Sequence, residues 1–512
     1  MSLFARRFGS SFLVACLLVP GWAFGQALPN LSLLRVRYNT AKANAKPTGE
    51  LKAEVDAIDG ALAEAAKLGR TGEMRRLIAK GMTVLDGRPW TPEEDYRHSL
   101  VLRAERVFAD SARPLTVRLE QIYAPAIDLG AAPSAAVQVR PLLSQPAGSP
   151  EVRTLATPSD IPRDLREAPL VMDLDVSQVT DGPYELSVEV STSGRPIGRV
   201  TMRVAVQRGL DARVAALQVG SAGAGASVAA DVRYPIEFMN KVNRGLVEMG
   251  TFDLGRELAA AEEVARNAAG GRDPFPGRTG DFERHYLLSG ANEIMPYRVY
   301  VPTKYKAGTP TPLVVALHGL GANEDSFFDS YQRVTPTLAE QHGFLLAAPL
   351  GFRVDGFYGS RVMTGADAAA ARRSEYSEQD VLEVLKRMRA DYTVDADRIY
   401  LIGHSMGAIG TWALGAKYPD LWAALAPFSG LGAPATVARM QHIPQFVVHG
   451  DADPTVSVNG SRAMVAEMKK LGMDVTYIEV PGGNHGDVVV PNLPKAFEFL
   501  ATKKRVAAAT QQ

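Results

Sequence analysis

The stretch RIYLIGHSMG, residues 398–407, decides the fold of this chain. Its apolar part, Ile399 to Ile402, is the short run typical of a buried β-strand. The run leads straight into Gly-His-Ser-Met-Gly, and an amphipathic segment from Ala408 to Tyr418 follows. This order predicts a strand, a tight turn and a helix, with Ser405 in a strained conformation at the turn. The glycines on either side of it leave room for the strand and helix backbones to approach closely.

Three other strand ends carry related signals. The run FVVHGDADPTV, residues 446–456, is a strand followed by a loop with carboxylates, and a later strand pattern leads into PGGNHG, residues 481–486. The chain order is therefore serine, aspartate, histidine, which is the order of α/β-hydrolases and not that of chymotrypsin or subtilisin. Earlier, LVVALHGLG at residues 313–321 is a strand ending in a glycine-rich turn, where this fold needs a second oxyanion N–H group. Together these segments predict a serine hydrolase.

The histidines and aspartates after the turn divide into reactive and structural candidates. His485 is the only histidine after Asp453, so it must be the base if a Ser-His-Asp triad exists. Asp451 and Asp453 compete for the acid position, and a loop-capping role through backbone N–H groups is the alternative for Asp451. His404 occupies the variable position of the motif, and we expect it to line the site.

The remaining histidines of this region predict no metal site. We expect His318 to hold the oxyanion turn and His449 to be a satisfied residue near the core. No H-x-x-x-H spacing or carboxylate cluster accompanies them, and such spacing is what a metal site in sequence requires.

Length and composition set the broad class. A chain of 512 residues is too long for one ordinary core, so two or three domains are expected. Its hydrophobic fraction of 46% and charged fraction of 22% are those of a globular protein. The formal net charge of +0 argues against nucleic acid or an anionic membrane surface as the main partner.

The first 25 residues predict a signal peptide. Arg6 and Arg7 form a positive region, Phe12 to Val19 an apolar core, and Ala23-Phe24-Gly25 a cleavage site with small residues. The apolar run is too short for a membrane span. Cys16 is the only cysteine, so the mature chain excludes disulfides and cysteine chemistry. We expect an exported bacterial protein, either periplasmic or secreted.

Hydrophobic periodicity divides the rest of the chain into four regions. The first and third have helical spacing, the second alternates with period two between turn signals, and the fourth alternates strands with helices. The second predicts a small immunoglobulin-like β-sandwich, for which a spacer role is favoured over carbohydrate binding. The predicted regions are a helical N-terminal region at 26–110, the β-sandwich at 111–208, a helical connector at 209–275 and an α/β-hydrolase catalytic domain at 280–505.

Several longer segments resemble a known family. NEIMPYRVYVPTKY, PLVVALHGLGANEDSFFD, DADRIYLIGHSMGAIGTWALGAKYPDLWAALAPFSG and HGDADPTVSV resemble secreted esterases of the α/β-hydrolase superfamily. These are the feruloyl and acetylxylan esterases, the polyhydroxybutyrate depolymerases and the prolyl-oligopeptidase-like hydrolases of dienelactone-hydrolase type. The resemblance implies Ser405 as nucleophile, His485 as base and, through the pattern His-Gly-x-x-Asp-x-x-Val, Asp453 as acid. Ala408 and Ala322 stand where the family usually has glycine, and neither change removes a catalytic atom.

The rest of the predicted site is less sharply marked. We expect the backbone N–H groups of Met406 and of Leu320, or of a neighbour such as Gly319, to form the oxyanion hole. Phe357 and Tyr358 could shape a substrate pocket with His404, although ordinary loop packing explains these two aromatic residues equally well. The mechanism needs no cofactor.

Three functions are consistent with this sequence. The first is an esterase acting on a small-molecule or polymer-borne ester, with the ester itself and the oligomeric state left open. The second is a serine peptidase of prolyl-oligopeptidase type, although the N-terminal half shows no repeat of the kind that builds a propeller. The third is a binding protein that retains a hydrolase domain, against which the intact motif set argues.

Overall fold

The computed structural model describes residues 31–142, 152–362 and 367–505. The predicted signal peptide, residues 1–25, lies outside the described residues. Among the described residues, no helix combines the length and the apolar character that crossing a membrane requires.

The described chain begins with helices. One face of α2 buries Val55, Ile58, Leu62 and Ala65 at the predicted spacing of three and four residues. The last three of these pack in a small separate core. The last helix of the group starts with Pro in its first turn, and the side chain of Thr91 caps its N-terminus. The four helices are α1 (Leu31–Ala45), α2 (Gly49–Lys67), α3 (Thr71–Leu85) and α4 (Pro92–Ser99).

Two β-sheets follow the helices. The strands are β1 (Leu100–Ala104), β2 (Phe108–Asp110), β3 (Leu115–Gln121), β4 (Ser134–Pro141), β5 (Arg153–Ala156), β6 (Leu170–Leu174), β7 (Gly182–Thr192) and β8 (Arg195–Gln207). One sheet has the order β1-β3-β6 and the other β2-β8-β7-β4-β5. The first strand begins at Leu100, earlier than the predicted boundary at 111, because residues 100–104 alternate in burial and pair with β3. The immunoglobulin-like assignment stays a prediction.

Three helices occupy the predicted connector. They are α5 (Leu210–Gly223), α6 (Ala229–Asn243) and α7 (Leu254–Ala269). Side chains of α6 bind the backbone of the next domain. Glu237 accepts a hydrogen bond from Ile294 N–H at 2.6 Å, and Lys241 Nζ donates to Ile294 O at 3.1 Å. The connector is thus packed on the sheet that follows it.

The C-terminal domain is built on an eight-stranded sheet. Its strands are β9 (Gly280–Leu288), β10 (Glu293–Val301), β11 (Thr311–Leu317), β12 (Leu345–Pro349), β13 (Val394–His404), β14 (Ala424–Phe428), β15 (Gln445–Gly450) and β16 (Val475–Val480). The order is β16-β15-β14-β13-β11-β12-β10-β9. Strands β11 to β16 are parallel, and β9 and β10 are antiparallel to their neighbours. Strands β16 and β9 form the two edges of the sheet.

Helices cover both faces of this sheet. Alternate residues of β13 face different cores: Ile399 and Leu401 pack on one side, and Tyr400 and Ile402 pack on the other. Two-sided burial explains why the strand reads as a continuous apolar run. The helices are α8 (Val334–His342), α9 (Ala368–Asp391), α10 (Met406–Lys417), α11 (Asn459–Lys470) and α12 (Val489–Ala501).

Candidate active site

The turn between β13 and α10 holds Ser405 in a strained conformation. Its backbone has φ 59° and ψ −118°, a region that residues other than glycine rarely occupy. A Cβ on Gly407 would lie 1.9 Å from Leu317 O, and one on Gly403 would lie 2.2 Å from Gly407 O. The motif therefore needs both glycines for steric reasons, as the sequence predicted.

Three predicted residues meet at the carboxyl edge of the parallel strands. His485 Nε2 lies 2.8 Å from Ser405 Oγ, and His485 Nδ1 lies 2.7 Å from Asp453 Oδ2. Since Nδ1 faces a carboxylate, it carries the proton and donates. Nε2 is then left to accept the hydrogen bond from the serine hydroxyl. The three side chains form one continuous hydrogen-bonded line.

The carboxylate of Asp453 is buried and strongly bound. Its side chain is 0% exposed, and its Oδ1 accepts the backbone N–H groups of Thr455 and Val456 at 2.8 and 2.9 Å. Burial favours the neutral acid, but hydrogen bonds from His449 and His485 outweigh burial and hold the pKa of Asp453 far below its usual value. Asp453 is therefore ionised at neutral pH.

His449 was predicted to be a satisfied residue near the core, and it is fully buried. Its Nε2–H lies 3.1 Å from Asp453 Oδ2 and 2.9 Å from Val456 O. This contact with the predicted acid was not expected from the sequence. The spacing of four residues within HGDADP was the signal that could have revealed it.

Asp451, the rival acid, has a different environment. It is exposed, and its Oδ1 accepts the backbone N–H of Gly482 at 2.7 Å. This bond joins the loop after β15 to the loop after β16, which carries His485. The contact agrees with the loop-capping role expected for Asp451.

The predicted oxyanion turn lies against the nucleophile. A Cβ on Gly319 would lie 3.3 Å from Ser405 Cβ. The N–H of Gly321 donates to Val354 O at 2.9 Å, so it is already engaged. Leu320 and Gly319 are the candidates left in this turn. Met406 is the first residue of α10, where helical N–H groups have no partner within the helix.

His404 is held between two groups of the site. Its Nε2–H donates to His485 O at 2.9 Å, and its Nδ1 lies 2.8 Å from the hydroxyl of Tyr331. Burial, with the charge of His485 next in importance, lowers the pKa of His404 to about 4. A neutral ring of this tautomer positions the backbone of His485. Tyr331 was not predicted, since nothing in its local sequence links it to the motif.

The two aromatic residues predicted to bind substrate differ in environment. Tyr358 is fully buried, and its hydroxyl donates to His318 O at 3.3 Å. A Cβ on Gly410 would lie 2.6 Å from the Tyr358 ring, so this residue packs behind α10 and is not open to substrate. Phe357 beside it is half-buried. The packed-loop alternative is the correct one for Tyr358.

His318 lies in the oxyanion turn and is buried. Its ring nitrogens lie 2.8 Å from Gly319 O and 2.6 Å from Leu350 O. Burial lowers its pKa. These contacts tie the turn to the end of β12, as the structural role expected for His318 requires.

The sheet order and the strand–turn–helix around Ser405 are those of an α/β-hydrolase domain. Residues 289–511 match the sequence profile of a family described as "Putative esterase". The resemblance to α/β-hydrolase esterases that the motifs predicted is therefore confirmed over this part of the chain.

Two relatives and one solved structure illustrate the similarity. Feruloyl esterase B of Talaromyces stipitatus is 31% identical over 135 residues, covering 26% of this chain and 35% of that protein. The bifunctional acetylxylan esterase/xylanase of Neocallimastix patriciarum is 27% identical over 159 residues, covering 31% of this chain and 21% of the relative. A ferulic acid esterase from Anaeromyces mucronatus has a TM-score of 0.37 and 18% identity, covering 45% of this chain and 95% of that chain. The chain thus spans about a third or less of the length of these two relatives.

Proposed function

We propose that this chain is a serine hydrolase that cleaves carboxylic esters through Ser405, His485 and Asp453. The observation that carries the proposal is the continuous line from Asp453 Oδ2 through His485 to Ser405 Oγ, with distances of 2.7 and 2.8 Å. The match of residues 289–511 to an esterase family supports the same reaction.

Acylation starts with proton transfer. His485 Nε2 takes the proton of Ser405 Oγ as the oxygen attacks the ester carbonyl, and Asp453 stabilises the imidazolium that forms. The negative charge then develops on the carbonyl oxygen. Backbone N–H groups of Met406 and Leu320 are the proposed donors to it, each worth about 3 kcal/mol in the transition state.

Collapse of this tetrahedral intermediate completes acylation. The protonated His485 gives its proton to the leaving alkoxide, and the alcohol departs. In deacylation, water enters, loses a proton to His485 Nε2 and attacks the carbonyl of the acyl-enzyme. The carboxylic acid leaves as His485 returns the proton to Ser405 Oγ. The buried and ionised Asp453 holds the imidazole in the required tautomer throughout both steps.

The substrate class rests on the relatives. Feruloyl esterase B and the acetylxylan esterase by name act on feruloyl and acetyl esters. We infer that this chain hydrolyses short or aryl acyl esters of that kind. Export of the chain is a separate proposal that rests on the first 25 residues alone.

Purified chain should be tested on p-nitrophenyl esters from acetate to octanoate, on methyl ferulate and on a prolyl p-nitroanilide. We expect ester turnover that Ser405→Ala abolishes, while the variant keeps the unfolding temperature of the wild type within a few degrees. The profile over acyl lengths then identifies the preferred acid. Amide turnover without ester turnover would replace the proposal by a peptidase, and turnover that survives Ser405→Ala would refute the mechanism.

A further inference from the structure

A second cluster of reactive side chains lies between the connector and the sheet. A cavity of about 280 Å³ separates α7 from β9. Glu257 on α7 and Glu283 and His285 on β9 line it. Each of these side chains offers one ligand atom, and the three atoms lie within 4.8 Å of one another. The proposed esterase mechanism uses none of them.

His285 is oriented as a metal-binding histidine commonly is. Its Nδ1 lies 3.2 Å from Asp231 Oδ1, and its Nε2 lies 3.0 Å from Glu283 Oε1. Asp231 is 4% exposed, and the backbone N–H of His285 also donates to it at 2.7 Å. Ligating histidines usually donate their other ring N–H to a carboxylate in this way. The nitrogen Nε2 is thereby turned toward Glu283.

Carboxylates outnumber cationic groups in the lining of the cavity. Three guanidinium groups and His285 line it together with six carboxylates, those of Asp231, Glu257, Glu263, Asp281, Glu283 and Asp325. Arg256 Nη2 lies 2.9 Å from Glu257 Oε1, and Arg298 Nη1 lies 2.8 Å from Asp325 Oδ1. The carboxylates still outnumber these cationic groups, and charges placed away from water need partners. A divalent cation in the cavity would supply the missing positive charge.

We propose that Glu257, Glu283 and His285 bind one divalent transition-metal ion of the zinc type. One imidazole nitrogen and two carboxylate oxygens suit such an ion, which binds them at about 2 Å. Donor atoms around one such ion lie roughly 3 to 4 Å apart, so shifts of about an ångström would complete the site. Calcium prefers a larger set of oxygen ligands and no imidazole, so it fits these residues less well.

The site gives the ion a structural role. It joins the connector helix α7 to the edge strand β9, two elements that the chain supplies from separate regions. We predicted no metal site from the histidines near the catalytic motifs, and His285 is not among them. The signal for this site in the sequence is Glu283-x-His285, since alternate residues of one strand share a face.

The test is zinc binding by the full-length chain after removal of metal with a chelator. Equilibrium dialysis against Zn²⁺ with elemental analysis should give one ion per chain, a higher unfolding temperature and no displacement by equimolar Ca²⁺. Glu257→Gln should weaken binding by more than roughly 100-fold, because it removes a direct ligand. Glu262→Gln is the matched control: Glu262 lies on the same helix and pairs with Arg213 at 2.6 Å, and binding should not change.

Three outcomes would overturn the proposal. Equal zinc uptake by wild type, Glu257→Gln and Glu283→Gln would locate the ion elsewhere. Absence of uptake by the folded wild type would mean that shared protons, not an ion, balance the carboxylates. Displacement by Ca²⁺ would exclude the transition-metal class. If Glu283→Gln fails to fold, Glu257→Gln still tests the site. Zinc binding is measured without esterase turnover, so the result does not depend on the proposed function.

Discussion

His449 Nε2 lies 3.1 Å from Asp453 Oδ2, the same oxygen that receives His485 Nδ1 at 2.7 Å. The side chains of His449 and Asp453 are both 0% exposed. On its other side, His449 Nδ1 lies 2.7 Å from Ser461 Oγ at the start of α11. The proposed acid, Asp453, therefore contacts a second histidine, and this histidine also contacts helix α11 through Ser461.

This arrangement predicts a positioning role for His449. We expect His449→Leu to lower kcat by roughly 10-fold with little change in KM, because Asp453 keeps its charge but loses a donor that orients it. The loss should be far smaller than the roughly 10⁴-fold loss expected when a triad aspartate is replaced. His449→Gln retains an N–H donor and should recover most of the activity.

Steady-state kinetics on one ester, with the active fraction titrated by an irreversible serine reagent, measure this effect. A purely structural role would lower the active fraction and leave kcat per active site unchanged. That result, or the same kcat in His449→Leu and wild type, would contradict the prediction.

The lowered pKa of His404 predicts a loss of stability in acid. Desolvation lowers this pKa to about 4 from an ordinary 6.5, so between these values the unfolded chain binds a proton that the folded chain does not. The contribution to stability is complete above pH 6.5 and is lost as pH falls through about 4. It amounts to about 2 to 3 kcal/mol.

Urea unfolding at pH 7 and pH 4.5 tests this assignment in wild type and His404→Gln. Other groups titrate in both proteins, and their contributions cancel in the comparison. The free energy of unfolding should fall more steeply toward acid in the wild type, by about 2 to 3 kcal/mol. Parallel curves for the two proteins would show that His404 titrates normally.

What could be predicted from the sequence was mostly local. The turn at Ser405 is determined by adjacent residues, because strand, glycines and helix all lie within one short segment. His485 followed from chain order together with the absence of a competing histidine. The contacts of Tyr331 and His449 are tertiary, so no local pattern contains them. The sequence left two alternatives open for Tyr358, because an aromatic residue in a loop has the same local sequence whether it is buried or exposed.

The same distinction holds for the sheet. Buried parallel strands such as β13 were predicted from continuous apolar runs. The edge strand β9 carries no clear strand pattern, because its burial does not alternate regularly and its charged residues face the connector. Helix α7, which lines the same cavity as β9, precedes the predicted start of the catalytic domain. The sequence of either element alone therefore does not indicate that they lie together.

The glycines of the turn predict a sharp contrast between two alanine substitutions. Gly407→Ala would place a Cβ 1.9 Å from Leu317 O, where backbone on both sides must shift. We expect a loss of about 3 kcal/mol or more, or no soluble protein. Gly60→Ala is the control, because Gly60 lies within helix α2 with nothing within 4 Å of its Cβ position. It should stabilise the chain by about 0.5 to 1 kcal/mol. Chemical denaturation measures both, and equal effects would contradict the steric account.

Helix α6 binds the backbone of strand β10, which lies next to the edge strand β9. Strand β12 pairs with residues Tyr297 to Tyr300 of β10, and this pairing stops short of Ile294. Glu237 and Lys241, one turn apart on α6, bind the N–H and C=O of Ile294 instead, at 2.6 and 3.1 Å. The helix thus completes hydrogen bonds that a neighbouring strand would otherwise make.

Glu237→Ala should therefore cost about 1 to 3 kcal/mol, because Ile294 N–H loses its acceptor and Lys241 loses a nearby carboxylate at 3.5 Å. Asn240→Ala on the same helix is exposed and should change stability by less than about 0.5 kcal/mol. Amide hydrogen exchange gives the local readout. Protection of Ile294 should fall in Glu237→Ala and not in Asn240→Ala, since only the first substitution removes the acceptor. Unchanged protection at Ile294 in Glu237→Ala would mean that packing, and not this hydrogen bond, joins the connector to the sheet.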